Sequence, residues 1–425
     1  MELEGTRGYG KTIERSDNRL RLLWLIFVFF GILSGILQGQ SWNRAVFRGD
    51  EIDPRDYEYN DEYFLNVLSY QLPPFWRETW NQGKRGYRLT IGSVRSDEFY
   101  LQQELKVHLD LTEELEFQFD LIEDEDFDTR YRRNRAGLIY AFHEKWKSYA
   151  FVEGTALKED NDLMFGAIFE PADGHWWELQ YTGVDFNERK GKEDREFTED
   201  ARGVLLRNEI PIFGGLSWET LIQLQLPMEL VDPGEDLDLR FRKRLYEGGL
   251  RWRLASGETL RFFVSGEDSG KTKDDQAAFM PSDQDLDRQA LRAGSECWWR
   301  GSYPFGADYH VGCSFFHFDE RSVFPDDRAE NEKHERDEFT VYGGLAFPVT
   351  ELFWVRPALY IDYVRQSRVF RNDIIRNDRF HGIQSKLSGA LEIRFSDTIS
   401  LVINPNLDVD QMNWGGGNVQ FIAMF

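Results

Sequence analysis

The chain has 425 residues, of which 30% are charged and 15% aromatic, with a net charge of -24 and a mean hydropathy of -0.55. Such hydropathy excludes a bundle of transmembrane helices, and the acidic balance argues against nucleic acid as a partner. With two cysteines, the chain has neither a disulfide scaffold nor a Cys-rich zinc site.

Arg19 and Arg21 precede the apolar stretch Leu22 to Leu37, which is followed by the small and polar residues Gly39, Gln40 and Ser41. That order of charge, apolar core and exit predicts a signal segment over 1–40, cleaved near Gln40. A retained anchor is disfavoured because the stretch falls short of the roughly 20 apolar residues that span a bilayer. Residues 41–86 are polar and rich in Tyr, Trp and acids, with Pro73 and Pro74 in the middle. Phe64, Leu65, Val67 and Leu68 lie at near-helical spacing, so a short amphipathic helix is expected over 61–70. This segment reads as a periplasmic leader or as a plug of the pore.

After Tyr87 the period changes to two. Leu105, Val107, Leu109 and Leu111 alternate with Glu104, Lys106, His108 and Asp110, and Leu216, Trp218, Ile222 and Leu224 repeat the pattern further on. The same alternation appears in Phe353, Val355, Leu359, Ile361 and Tyr363. Segments of about ten residues fit tilted strands crossing a bilayer, with one face on lipid and one on water. The expected fold is therefore all-β, a transmembrane antiparallel barrel over 87–425 with roughly 18 strands, 16 at the least.

The connections sort into two alternating kinds. Short ones fall near 112–114, 144–147, 213–215, 255–258, 349–352 and 396–398. Long acidic ones fall near 124–134, 185–201, 229–240, 268–285, 319–337 and 366–379. Short periplasmic turns and long outer loops are the asymmetry expected of such a barrel, which places both of its ends in the periplasm. The acidic runs read either as solvated loop surface or as places where Ca²⁺ or Mg²⁺ bridges carboxylates.

The last strand presents Val419, Phe421, Ala423 and Phe425 on one face and Asn418, Gln420, Ile422 and Met424 on the other. An aromatic final residue with apolar residues at every second position resembles the insertion signal of outer-membrane barrels. The segment from Tyr87 onward resembles porin-like outer-membrane barrels, in outline similar to the alginate-export family and to substrate-specific porins. The resemblance implies an outer-membrane location, a lipid bilayer and the barrel-assembly machinery as partners, and a pore for hydrophilic solutes. No functional residue is carried over from it.

Strand parity places Glu104, Asp120, Lys243, Arg251, Arg253, Arg261, Arg288, Arg292, Glu296, Arg356, Lys386 and Arg394 on the inner face as candidate pore lining. Glu247, Arg300, Asp362 and Glu392 share that face. Arginines on the later strands opposite acids on the early ones predict a transverse field that orients solutes or selects anions; the alternative is a set of ion pairs within the wall that fills the barrel. Cys297 and Cys313 are expected on the outer face as packed thiols rather than a disulfide.

Neither an H-E-x-x-H metal motif nor a G-x-S-x-G elbow occurs. His108, Asp110 and Glu104 form the one His-acid cluster on an inner face. The chain is read as a non-enzymatic channel without a cofactor or metal centre, passing hydrophilic solutes such as sugars or carboxylates, anionic ones among them. The alternatives are a non-conducting surface barrel for adhesion or assembly and a barrel enzyme.

Overall fold

The computed structural model describes Trp80 and residues 83–425, apart from 95–97, 126–129, 156–161, 184–186, 190–194, 200–201, 233–236, 276–282, 300–306, 326–330 and 371–376. The expected signal segment at 1–40 and the helix expected at 61–70 lie outside the described residues, as does Arg300.

The first strands are β1 (Arg85–Val94), β2 (Glu98–Asp110), β3 (Leu115–Glu125), β4 (Arg130–His143), β5 (Trp146–Thr155), β6 (Asp162–Ala172) and β7 (His175–Gly183). After a small hairpin, β8 (Asn187–Arg189) and β9 (Arg195–Glu199), come β10 (Arg202–Phe213), β11 (Leu216–Asp232), β12 (Leu237–Arg253) and β13 (Glu258–Asp275). The remainder are β14 (Gln284–Trp299), β15 (Asp308–Val323), β16 (Glu332–Pro348), β17 (Phe353–Phe370), β18 (Asp378–Arg394), β19 (Ile399–Asp408) and β20 (Asn413–Met424).

The 20 strands of the described residues form one antiparallel sheet. β7 pairs directly with β10, and β1 pairs with β20 from Gly86↔Met424 to Ser93↔Gly417. Setting aside β8 and β9, an 18-stranded barrel closes on itself. Closure gives each of the 18 barrel strands a neighbour on both sides, which is what a β-structure needs to exist in hydrocarbon.

Turn chemistry holds the short-link end. Gly214 and Gly215 join β10 to β11 with φ of 53° and 81°, the left-handed pair that a two-residue hairpin demands. Four-residue turns after β2, β16 and β18 repeat one device. Leu111, Val349 and Phe395 donate to the carbonyls of Leu115, Phe353 and Ile399. Hydroxyls of Thr112, Thr350 and Ser396 accept backbone N–H groups of Leu115, Phe353 and Thr398.

On the outer surface, β17 exposes Phe353, Leu359, Ile361 and Tyr363. From Phe353 to Tyr363, at about 3.3 Å per residue and a tilt of about 40°, this band is roughly 25 Å tall, the height of a bilayer core. Rings mark its two borders: Trp146, Phe213, Trp252 and Phe353 at the short-turn end, and Tyr181, Tyr246, Phe339, Tyr363 and Trp414 toward the other. No helix among the described residues is long and apolar enough to cross a membrane; the crossing is made by strands.

Much of what the sequence pattern assigns to long outer loops is strand. β11 continues to Asp232 and β12 resumes at Leu237, β15 continues to Val323, and β16 begins at Glu332. Above the lipid band water reaches both faces of the sheet, so the hydrophobic alternation stops although backbone pairing does not. The hairpin of β8 and β9 falls inside the expected 185–201 connection, where β9 pairs with the outer part of β11.

Candidate pore lining

The inner face alternates with the lipid face along every strand, so side chains of matching parity meet across the wall. Arg251 pairs in register with Ser217 on β11 and Arg261 on β13, and Arg261 pairs with Glu296 on β14. Around them a ladder of charges runs through the tall strands. Arg251 is paired with Glu219 and lies 3.7 Å from Glu209; Arg261 reaches Glu296 at 3.1 Å and Glu219 at 3.6 Å. His310 Nε2 lies 3.1 Å from the other oxygen of Glu296, to which Tyr342 donates at 3.5 Å.

The remaining candidates are distributed along the same face. Lys243 is 3.3 Å from Glu267, and Arg288 donates to Glu320 at 2.7 Å. Lys386 is 3.9 Å from Asp408. Glu392 is fully buried beneath Arg356 at 3.6 Å and Arg394 at 2.7 Å. Arg292 lies on the inner face in register with Ser265 and Phe316. Arg253 has inward parity but sits exposed at the short-turn rim, where its N–H donates to the Gly215 carbonyl.

The early strands carry their own cations. Arg88 lies 2.5 Å from Glu104, and Asp120 accepts from Arg135 at 2.7 Å with His108 at 3.2 Å. An acidic wall facing an arginine wall, as parity of the chosen residues suggested, is therefore not what forms; each stretch of wall pairs its own charges. His108, Asp110 and Glu104 are not brought together either: His108 is with Asp120, Glu104 with Arg88, and Asp110 at the rim with Lys84 at 2.6 Å.

Depth orders these pairs. The Arg251 side chain is 22% exposed against 4% for Glu219, and Arg207 on β10 is 27% exposed against 5% for its partner Glu178. Arg135 over Asp120, and Arg356 and Arg394 over Glu392, follow the same order. Arg288 with Glu320 and Lys386 with Asp408 reverse it. Aromatic rings brace the guanidinium layer: Arg261 lies over Phe263, Arg135 over Phe151 and Arg207 over Trp176 at 5.1–5.8 Å from the ring centres. Two of these rings, Phe263 and Phe151, sit against glycine: a Cβ on Gly294 would come 2.7 Å from the Phe263 ring and one on Gly137 2.3 Å from the Phe151 ring.

Among the described residues no group of three or more His, Cys, Asp or Glu side chains is arranged to hold a metal ion. Cys297 and Cys313 are both free thiols, offset along neighbouring strands: Cys297 faces Val311 and Cys313 faces Ser295.

No family model matches this chain and no curated protein matches it. Among solved structures it is similar to OmpT of Vibrio cholerae, at 9% identity over 80% of this chain and 96% of that one, with a TM-score of 0.36. OccK3 (OpdO) of Pseudomonas aeruginosa is similar at 10% identity, 80% and 94% coverage and a TM-score of 0.37. OccK10 (OpdN) of the same organism stands at 12%, 81%, 98% and 0.32. At such scores the closed barrel and its lipid band, rather than these likenesses, carry the assignment. The chain is an outer-membrane β-barrel.

Several lining residues escaped the sequence reading. Glu178, Arg207 and Glu219 follow from simple parity with Gln180, Leu205 and Leu221, which are also buried on the inner face. Arg336, paired with Glu338 and hydrogen-bonded to Gln366, belongs to a stretch of β16 that the sequence pattern assigns to a loop.

Proposed function

We propose that this barrel is a passive channel through which small hydrophilic solutes cross the outer membrane, with a preference for anionic ones such as acidic sugars or carboxylates. The observation that supports the reading is the layering of the charge pairs. Where a carboxylate is sunk against the wall and its arginine stands over it, the wall is neutral in sum but presents guanidinium N–H groups to the lumen. A solute carboxylate then meets forked donors, and the buried acid supplies the counter-charge that keeps those donors in place. Val419, Phe421 and Ala423 share the lipid face of β20, and with the exposed Phe425 they form the motif we assign to recognition by the barrel-assembly machinery.

Reversal potentials of the refolded chain in planar bilayers under a salt gradient test the reading. The native chain passes anions in excess. Arg207→Gln combined with Arg251→Gln uncovers Glu178 and Glu219 and shifts the reversal potential toward cation selectivity. Unchanged selectivity in the double variant, or a refolded barrel without conductance, overturns the assignment.

A further inference from the structure

The outer surface above the lipid band carries a second arrangement of arginines, unconnected with the lumen. On β12 the outward residues below the band's upper border are Trp252, Leu250, Gly248 and Tyr246. The next three outward positions are Arg244, Arg242 and Arg240, all exposed. Alternate residues of a strand are about 6.6 Å apart, so three guanidiniums stand in a column that begins one step above an interfacial tyrosine. Beside the column, on the neighbouring strands, stand the carboxylates Asp268 and Asp287.

The neighbouring strand is shaped to fit the column. Arg242 pairs in register with Gly270 on β13, where an added Cβ would come 2.9 Å from the Arg242 Nε. Lacking a side chain, Gly270 lets the guanidinium lie across β13 toward Asp287 on β14 at 3.5 Å. Arg244 stands 3.7 Å from Asp268. Both contacts are long and solvent-exposed, so each is worth little and yields readily to a stronger acceptor. Beneath Tyr246 lie Val264, Leu250 and Phe262 of the lipid face. A ligand seated here meets cations above and hydrocarbon below.

We infer that Arg240, Arg242 and Arg244 form a docking site for the phosphate groups of a saccharolipid in the outer leaflet, whose acyl chains run down the band beside Leu250 and Trp252. Phosphate oxygens match the forked donors of arginine better than the single carboxylates now opposite them. The height of the column selects a lipid headgroup over a solute in bulk water, and its position at the end away from the start of β1 and the end of β20 selects the outer leaflet.

Native mass spectrometry of the full refolded chain in detergent, titrated with bis-phosphorylated lipid A or with the same lipid stripped of phosphate, tests the site. The native chain retains the phosphorylated lipid and releases the stripped one. The triple variant R240Q, R242Q and R244Q binds about tenfold more weakly. R240K, R242K and R244K, which keeps the charge but loses the fork, falls between. R321Q, K333Q and R365Q removes the same charge from another part of the outward-facing collar and binds as the native chain does. Equal retention of the stripped lipid, or equal losses in the two glutamine triples, overturns the inference.

Discussion

The two sides of the barrel cross the same membrane with walls of different height. From β11 to β18 the strands run 16–18 residues, whereas β1 to β7 run 9–14, and β10, β19 and β20 run 12, 10 and 12. The lipid band sets a minimum strand length but no maximum. The excess of the tall side projects beyond the outer border, where exposed pairs such as His317 with Asp337 at 2.7 Å flank the sheet. Out there water competes for every charge, and the backbone ladder rather than ion pairing keeps the strands together. The low side contains the seam between β1 and β20, and it is held by burial instead.

The sharpest way to break that contrast is at Trp80. Its ring is buried against Ile422 and Met424 of β20, lies 5.2 Å from the Lys106 ammonium and 5.9 Å from the Arg88 guanidinium, and its carbonyl accepts from Lys106. One side chain thus touches both strands of the seam and β2. Trp80→Ala is expected to cost about 3–5 kcal/mol by urea titration of the refolded barrel in lipid, with Trp80→Phe recovering much of it. An unchanged midpoint would show that the seam stands on its β1 to β20 ladder alone.

A smaller effect separates the inner and lipid faces of the tall side. Gly294 on the inner face has no room: a methyl group would meet the Cys313 carbonyl oxygen at 2.5 Å and the Phe263 ring at 2.7 Å. Gly389, on the lipid face of β18, would meet nothing within 4 Å. Gly294→Ala is therefore expected to destabilise by about 1–3 kcal/mol, with Phe263 and the Arg261 above it displaced. Gly389→Ala is expected to be neutral or slightly stabilising, by up to about 1 kcal/mol. Equal effects on the urea midpoint would mean that the rings beneath the arginines are loosely seated.

How much of this was legible in the sequence follows the same division. Inside the lipid band, the alternation of Leu216, Trp218 and Ile222 with Ser217, Glu219 and Leu221 gives strand, face and neighbour together, because hydrocarbon on one side and the lumen on the other impose a period of two. Above the band that contrast vanishes, so Leu237–Arg240 and Lys333–Asp337 read as loop although they are paired strand. The layering of Arg251 over Glu219 depends on how long side chains bend, which parity does not encode. Trp80 precedes the first strand pattern, and its place at the seam follows only from barrel closure.

The weakest expected effect concerns the short-turn rim of the low side. Lys84 donates to Asp110 at 2.6 Å and lies 3.3 Å from Glu116, and the hydrogen bond to Asp110 holds its ammonium above the ordinary lysine value of 10.5 despite a small opposing cost of burial. A lysine whose folded value is raised binds its proton more tightly in the folded state. Its contribution is therefore complete below the unfolded value and is lost as pH rises through the folded one. Native chain and Lys84→Met should differ slightly in urea midpoint at neutral pH and converge in strong alkali. Because Lys84 is half exposed, the neutral-pH difference should also shrink with added salt, which the Trp80→Ala difference should not do. A Lys84 effect that survives both alkali and salt would mean that the methylene stem packs at the rim, and that burial holds the low side even where it is wet.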